Sequence, residues 1–184
     1  MSDAAAKLMT VDEFLAWGEG REGRWELRDG VIFAMSPERV AHLETKANVL
    51  FSLSDAIRRA NAPCRVYPDG ATVRISRRTA FEPDALVRCG PPLPPDALEF
   101  PDPIIVVEVL SPSTEAYDRG AKVEGYFSLP SVIHYLIVDA DRQKIVHHKR
   151  GAGDMIETRI LASGALKLDP PGLELTVESF FAPL

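Results

Sequence analysis

The 184-residue sequence predicts an α/β sandwich in which helices flank a central mixed β-sheet, with β-hairpins added to it. Three observations carry this. IIVVEVL (104–110) and VIHYLIVD (132–139) are apolar on both faces, as strands covered on each side must be. From Glu38 to Ala60, apolar residues recur at three- and four-residue steps, so one helical face can pack on a sheet. A strand, helix and strand running from Ile104 to Asp139 most simply form a right-handed crossover between parallel neighbours.

In chain order, Thr10 to Glu13 (TVDE) has the capping-box form and opens a short helix through Leu15 and Trp17. WELRDGVIFAM reads as two strands around Asp29-Gly30, a pair that supplies positive φ in a tight turn. The long helix follows, with Val40, Leu43, Ala47, Leu50, Leu53 and Ile57 as its expected buried stripe. CRVYP, ATVRIS and FEPDALV are three strands separated by turn residues. GPPLPPDALEFPDP holds six prolines in fourteen residues and must be an exposed, stiff connection. After IIVVEVL, Ser113 and Thr114 are N-cap candidates for a segment running through Lys122 to Leu129. KIVHHKR, MIETRIL and PGLELTVESFF complete the chain as further strands and hairpins.

Composition bounds the function. With 46% hydrophobic and 26% charged residues, the chain has the balance of one ordinary globular domain, 1–184. No apolar run approaches the roughly 20 residues that cross a bilayer, and MSDAAAKLMT lacks a signal-peptide core, so the expected location is cytoplasmic. Cys64 and Cys89 have neither zinc-site nor scaffold spacing and are expected to be reduced and packed. The net charge of −6 argues against a general nucleic-acid coat, but the distribution is uneven. Seven arginines against three acids lie between Arg58 and Arg88, whereas six acids and no basic residue lie between Cys89 and Asp118. An acidic centre between basic flanks suits a metal-dependent phosphodiester site, and mixed solvated faces would give the same pattern. Phosphate-loop, GxSxG, HExxH and zinc-finger patterns are absent from the sequence.

Two carboxylates stand out because their neighbours are apolar. Glu108 shares a strand face with Ile104, Val106 and Leu110 and lies near the strand's carboxyl end, where open α/β sheets build their sites. Asp84 follows Pro83, which suits a strand entry or edge. An isolated buried carboxylate costs several kcal/mol on the order of the ion desolvation penalty, so a metal ion, a lysine or an arginine must meet it. Asp84 and Glu108 on adjacent strands would make an oxygen-rich pocket for Mg²⁺ or Mn²⁺. Alternatively, Asp84 caps a turn and Glu108 pairs with an arginine. Lys122 stands four residues after Asp118, so it either forms a surface helical pair or turns toward Glu108. His147 and His148, adjacent on a strand, point to opposite faces and cannot readily share one ion.

EPD, then VVEVLSPST, then DRGAKVEGYFSLPSVIHYLIVD resemble the Uma family of endonucleases, within the PD-(D/E)XK restriction-endonuclease-like superfamily. WELRDGVIFAMSP, the His42 helix and PGLELTVESFF extend the resemblance over nearly the whole chain. It implies a restriction-endonuclease-like core with Asp84 and Glu108 as Mg²⁺ or Mn²⁺ ligands and Lys122 as the catalytic lysine. The superfamily motif places its lysine two residues after the acid, where this chain has Leu110; within the Uma family the lysine moves to the following helix. Family members also tend to carry an acid at Glu26 and a histidine at His42, at the site's edge. Read from the residues alone, Glu26 is a half-exposed strand position and His42 a capping or surface residue. The expected partner is DNA, with phosphates met by arginines between Arg58 and Arg88. A homodimer is expected through the apolar edges of the C-terminal hairpins and LELTVESFF. A nuclease fold kept as a binding or regulatory module, or a dimeric scaffold, is the competing expectation.

Overall fold

The computed structural model describes residues 8–111, 117 and 120–183. Ser113, Thr114 and Asp118, named above as caps and as a partner for Lys122, lie outside the described residues. The chain begins with α1 (Val11–Gly18), whose Thr10 side chain accepts from the Glu13 amide while Glu13 reaches back, the predicted capping box. A hairpin of β1 (Trp25–Arg28) and β2 (Val31–Ala34) turns on Asp29 and Gly30, both at positive φ. The long helix α2 (Val40–Arg59) leads to β3 (Cys64–Pro68), β4 (Val73–Ser76), β5 (Thr79–Phe81) and β6 (Ala85–Cys89). The proline-rich loop then enters β7 (Ile105–Val109).

After β7 come α3 (Ala121–Ser128), β8 (His134–Asp139), β9 (Lys144–Arg150) and β10 (Ile156–Leu161). The chain closes with β11 (Ala165–Leu168), β12 (Leu173–Thr176) and a 3-10 turn, Val177–Phe180. Six strands form the main sheet in the order β10-β9-β8-β7-β6-β3, and β7 with β8 is its parallel pair. A second sheet runs β2-β1-β5-β4, and β11 pairs with β12. Ile105, Val107 and Val109 bury one face of β7 with Val49, Leu53 and Leu175, under α2 and the C-terminal hairpin. Val106 faces the other way and packs with Phe81, Tyr126 and Tyr135, between α3 and the second sheet. Glu108 points to this second side by the two-residue period.

FEPDALV is not one strand. Phe81 ends β5 in the second sheet, Ala85 begins β6 in the main sheet, and Glu82-Pro83-Asp84 crosses between them. Asp84 is therefore held at the junction of two sheets, a position a proline suits because it donates no ladder bond.

Three expectations require correction. The stripe predicted for α2 is buried only in part: Leu53 and Ile57 face inward and Ala47 and Leu50 are half-buried, but Val40 is 68% and Leu43 50% exposed, and Thr45, Lys46, Asn48, Val49 and Ala56 complete the inner face. The polar members of that inner face are bonded, Asn48 to the Ala182 carbonyl and Lys46 to carboxylates, so hydrophobicity alone misplaces the N-terminal half of the stripe. Cys64 and Cys89 are not free thiols but a disulfide, because the β3/β6 register sets them directly opposite each other. LELTVESFF does not offer an apolar edge either, since Leu166, Leu168, Leu173, Leu175, Val177 and Phe180 are buried in the chain's own core, whereas the β9/β10 hairpin does expose Met155, Ile156 and Ile160 on the edge strand of the main sheet.

Candidate active site at the junction of the two sheets

Asp84, Glu108, Lys122, Glu26 and His42 all line one cleft of about 460 Å³. Each comes from a different element. Glu26 stands on β1, His42 on the first turn of α2, Asp84 at the sheet crossing, Glu108 on β7 and Lys122 at the start of α3. Glu26 is 1% exposed rather than the half-exposed strand residue its alternation suggests.

Lys122 Nζ donates to Glu108 Oε1 at 2.8 Å and lies 2.8 Å from Glu26 Oε1. Tyr126, one turn along α3, donates its hydroxyl to the same Glu108 oxygen at 2.8 Å. Arg28 closes the chain of charges with Nη2 2.7 Å from Glu26 Oε2, and the Glu82 amide donates to Glu26 Oε1. Burial alone would raise the Glu26 carboxyl, but Lys122 and Arg28 together hold it below its ordinary value. The Tyr126 hydroxyl is pushed well above its ordinary value by burial and by the Glu108 charge, so it remains a donor.

On the other side of the cleft, Asp84 Oδ2 accepts the Val109 amide at 2.7 Å and Asp84 Oδ1 lies 3.0 Å from Lys46 Nζ. The first of these bonds ties the sheet crossing to the end of β7. His42 Nε2 donates to the Val109 carbonyl at 2.7 Å and lies 3.9 Å from Asp84 Oδ2, so its position is at the site and not on the helix surface. Lys46 also meets Glu38 and Asp69, and Arg24 bridges Glu38, Asp69 and Glu82.

Glu38, Asp69, Lys46 and Arg24 are the residues sequence reasoning missed. Only Lys46 left a signal, standing four residues after His42 and so on the same helical face. Asp69 sits in a Pro-Asp-Gly turn that reads as punctuation, and Glu38 precedes the helix.

The arginines between Arg58 and Arg88 are absent from the cleft's lining, which takes Arg28 and Arg39 instead. Arg74 is bound by Asp12 and Glu99, Arg59 by Asp55, and Arg88 by the carbonyls of Pro91 and Pro101. His147 donates toward His134 rather than toward the cleft, and His148 meets Thr158.

Among the described residues of this network, the carboxylates of Glu26, Glu38, Asp69, Glu82, Asp84 and Glu108 face the cations Arg24, Arg28, Lys46 and Lys122. Acids outnumber these bases, and His42 adds a further contact, its Nδ1 lying 3.2 Å from Glu38 Oε2. Asp84 and Glu108 line the cleft with oxygen donors, and Glu38, Asp69 and Asp84 each bring an oxygen within 4.8 Å of the others; donors of this kind, in a network with more acids than bases, suit a hard divalent ion.

A family model described as "Uma2: Putative restriction endonuclease" matches residues 11–178. The uncharacterized protein slr1290 of Synechocystis sp. is 31% identical over 180 residues, spanning 96% of this chain and 93% of its own length. A crystal structure of "a putative nuclease belonging to DUF820" from Anabaena variabilis superimposes with a TM-score of 0.76 at 17% identity, covering 94% of this chain and 97% of the other. That likeness establishes a common nuclease-like fold. The family match, which takes in Glu26, Asp84, Glu108 and Lys122, shows that this chain belongs to the Uma2 family of restriction-endonuclease-like proteins.

Proposed function

We propose that the chain is a divalent-metal-dependent endonuclease that hydrolyses DNA phosphodiester bonds. The observation that supports this best is the convergence of Asp84, Glu108, Lys122 and Glu26 on one cleft where carboxylates outnumber basic groups. Asp84 and Glu108 would hold Mg²⁺ or Mn²⁺, which when bound supplies a Lewis acid for a phosphoryl oxygen and lowers the pKa of water. Lys122, fixed between Glu108 and Glu26, presents its ammonium to charge developing on the phosphate. Tyr126 fixes the orientation of Glu108, and the Asp84 bond to the Val109 amide fixes Asp84 against the same strand. Arg28 and Arg39 at the cleft wall are the phosphate-positioning groups.

Incubating the purified protein with supercoiled plasmid and Mg²⁺ or Mn²⁺ tests this. Nicked and linear products are expected, and Asp84→Asn or Glu108→Gln should slow their formation by about 100-fold or more, the scale of losing an electrostatic catalytic group. Unchanged cleavage in both variants would assign the activity to other residues or to a contaminant.

A nuclease fold retained for binding or regulation is the second reading. Leu110 favours it by standing where the superfamily motif has a lysine. DNA binding that needs no metal, survives Asp84→Asn and yields no product would select it.

Cytoplasmic placement rests on the sequence, and no helix among the described residues is long and apolar enough to cross a membrane. The Cys64–Cys89 bond is the observation that stands against a reducing compartment. For assembly, the outward face of α2 joins the β9/β10 hairpin as a proposed homodimer contact. Val40, Leu43 and Phe51 are exposed there, and a two-fold axis at Phe51 would set Glu44 of one copy opposite Arg58 of the other, seven residues to either side.

A further inference from the structure

Lys46 is the most heavily engaged basic side chain on the Asp84 side of the cleft. It leaves α2 one turn after His42 and is 8% exposed. Its Nζ lies 2.9 and 3.0 Å from the two Glu38 oxygens, 2.5 Å from Asp69 Oδ2 and 3.0 Å from Asp84 Oδ1. Glu38, Asp69 and Asp84 each offer an oxygen within 4.8 Å of the others, which is the spacing of donors around a cation. The chain's own ammonium sits among them, three donors meeting three carboxylates.

We propose that Lys46 is a tethered counter-cation that competes with the divalent ion for Asp84 and sets how tightly that ion is held. This rests on reading Asp84 as a metal ligand. An ammonium and a dication cannot both lie against one carboxylate oxygen, because two like charges a few Å apart repel strongly in a partly dry site. Since Asp84 Oδ2 already accepts the Val109 amide, the ion is left Oδ1, and Lys46 must release that oxygen when the ion arrives. The flexible four-carbon stem allows this, and Glu38 and Asp69 offer the freed ammonium a place to stay. While seated, Lys46 offsets the mutual repulsion of three acids that would otherwise oppose folding. The same residue thus stabilises the ion-free cleft and weakens ion binding. His42, one turn earlier, donates to the Val109 carbonyl and lies beside Asp84, so α2 presents two successive side chains to this side of the site.

Calorimetric titration of the full chain with MnCl₂ alone distinguishes the alternatives. Lys46→Met is expected to bind Mn²⁺ tighter than wild type by about tenfold or more, an energy of one strong charge contact. Asp84→Asn and the double variant should both lose that binding. In thermal melts without Mn²⁺, Lys46→Met should unfold at lower temperature than wild type, and saturating Mn²⁺ should raise its midpoint by more than it raises that of wild type. Should Lys46→Met not fold, Lys46→Gln removes the charge and keeps a hydrogen-bonding head. Asp84-dependent Mn²⁺ binding that Lys46→Met and Lys46→Gln leave equal or weaker overturns the inference and spares the metal site. Absence of Asp84-dependent binding in every variant overturns the metal reading, and this inference with it.

Discussion

His134 Nδ1 and His147 Nε2 lie 2.9 Å apart, and His134 Nε2 lies 3.0 Å from the Pro170 carbonyl. Since His134 must donate from Nε2 to that carbonyl, its Nδ1 accepts from His147, and the pair is neutral. Burial, opposed only weakly by the Pro170 bond, pushes His134 down to about 4; burial and the neighbouring His134 push His147 down to about 3. Both folded-state values lie below the ordinary 6.5, so the unfolded chain binds protons first. This contribution to stability is complete above 6.5 and is lost as pH falls toward 4 and then 3. Glu26 and Glu38, held below the ordinary 4.5, add their own loss only at lower pH. Urea midpoints should therefore already decline between 6.5 and 4.5, and His147→Leu should flatten that part of the curve. A wild-type midpoint that is flat over this window would contradict the neutral pair. At Lys122, 2% exposed between Glu26 and Glu108, replacement by Met should destabilise by about 3 kcal/mol, because it strands buried carboxylates. Comparing denaturant midpoints checks this, and a loss below about 1 kcal/mol would mean that water reaches both acids.

The helix α3 is positioned by what it lacks. A Cβ on Gly125 would come within 2.6 Å of Phe81 Cε2, 3.2 Å of Phe81 Cζ and 3.4 Å of Ile75 Cγ2. Phe81 packs edge-on to Tyr126 and Tyr117 in the core, so it cannot yield, and Gly125 sets the distance between α3 and the second sheet. Gly125→Ala should cost about 1–3 kcal/mol by overpacking. It should also reduce cleavage, because Lys122 and Tyr126 ride on the same helix toward Glu108. Full activity in Gly125→Ala would show that the helix tolerates the shift. Sequence periodicity conveyed β7, β8 and the existence of α2 well, since burial on two faces and a 3.6-residue repeat are written in residue type. It conveyed the N-terminal half of the α2 stripe badly. Lys46, Thr45 and Asn48 are inward because specific carboxylates and carbonyls meet them, and such partners lie far away in sequence. The Cys64–Cys89 bond was hidden for the same reason, as it depends on the β3/β6 register.

At the scale of the molecule, two sheets meet at Asp84 and enclose a network of six carboxylates and four basic groups. The acids Asp84 and Glu108 were legible because each interrupts an apolar run. Their distance from one another, and the α2 residues that share the site, follow from how the sheets are crossed. The outward face of α2 gives a direct test of assembly: Phe51→Lys should convert a dimer to a monomer in sedimentation experiments without altering the fold. Unchanged sedimentation of wild type and variant would place any association elsewhere. The central claim is that Asp84 and Glu108 together hold a divalent cation. Anomalous diffraction from crystals grown with Mn²⁺ tests it most directly. A single strong peak in contact with carboxylate oxygens of Asp84 and Glu108, with Lys46 withdrawn from Asp84, is the expected result. A peak confined to Glu38 and Asp69, or none at saturating Mn²⁺, would contradict it.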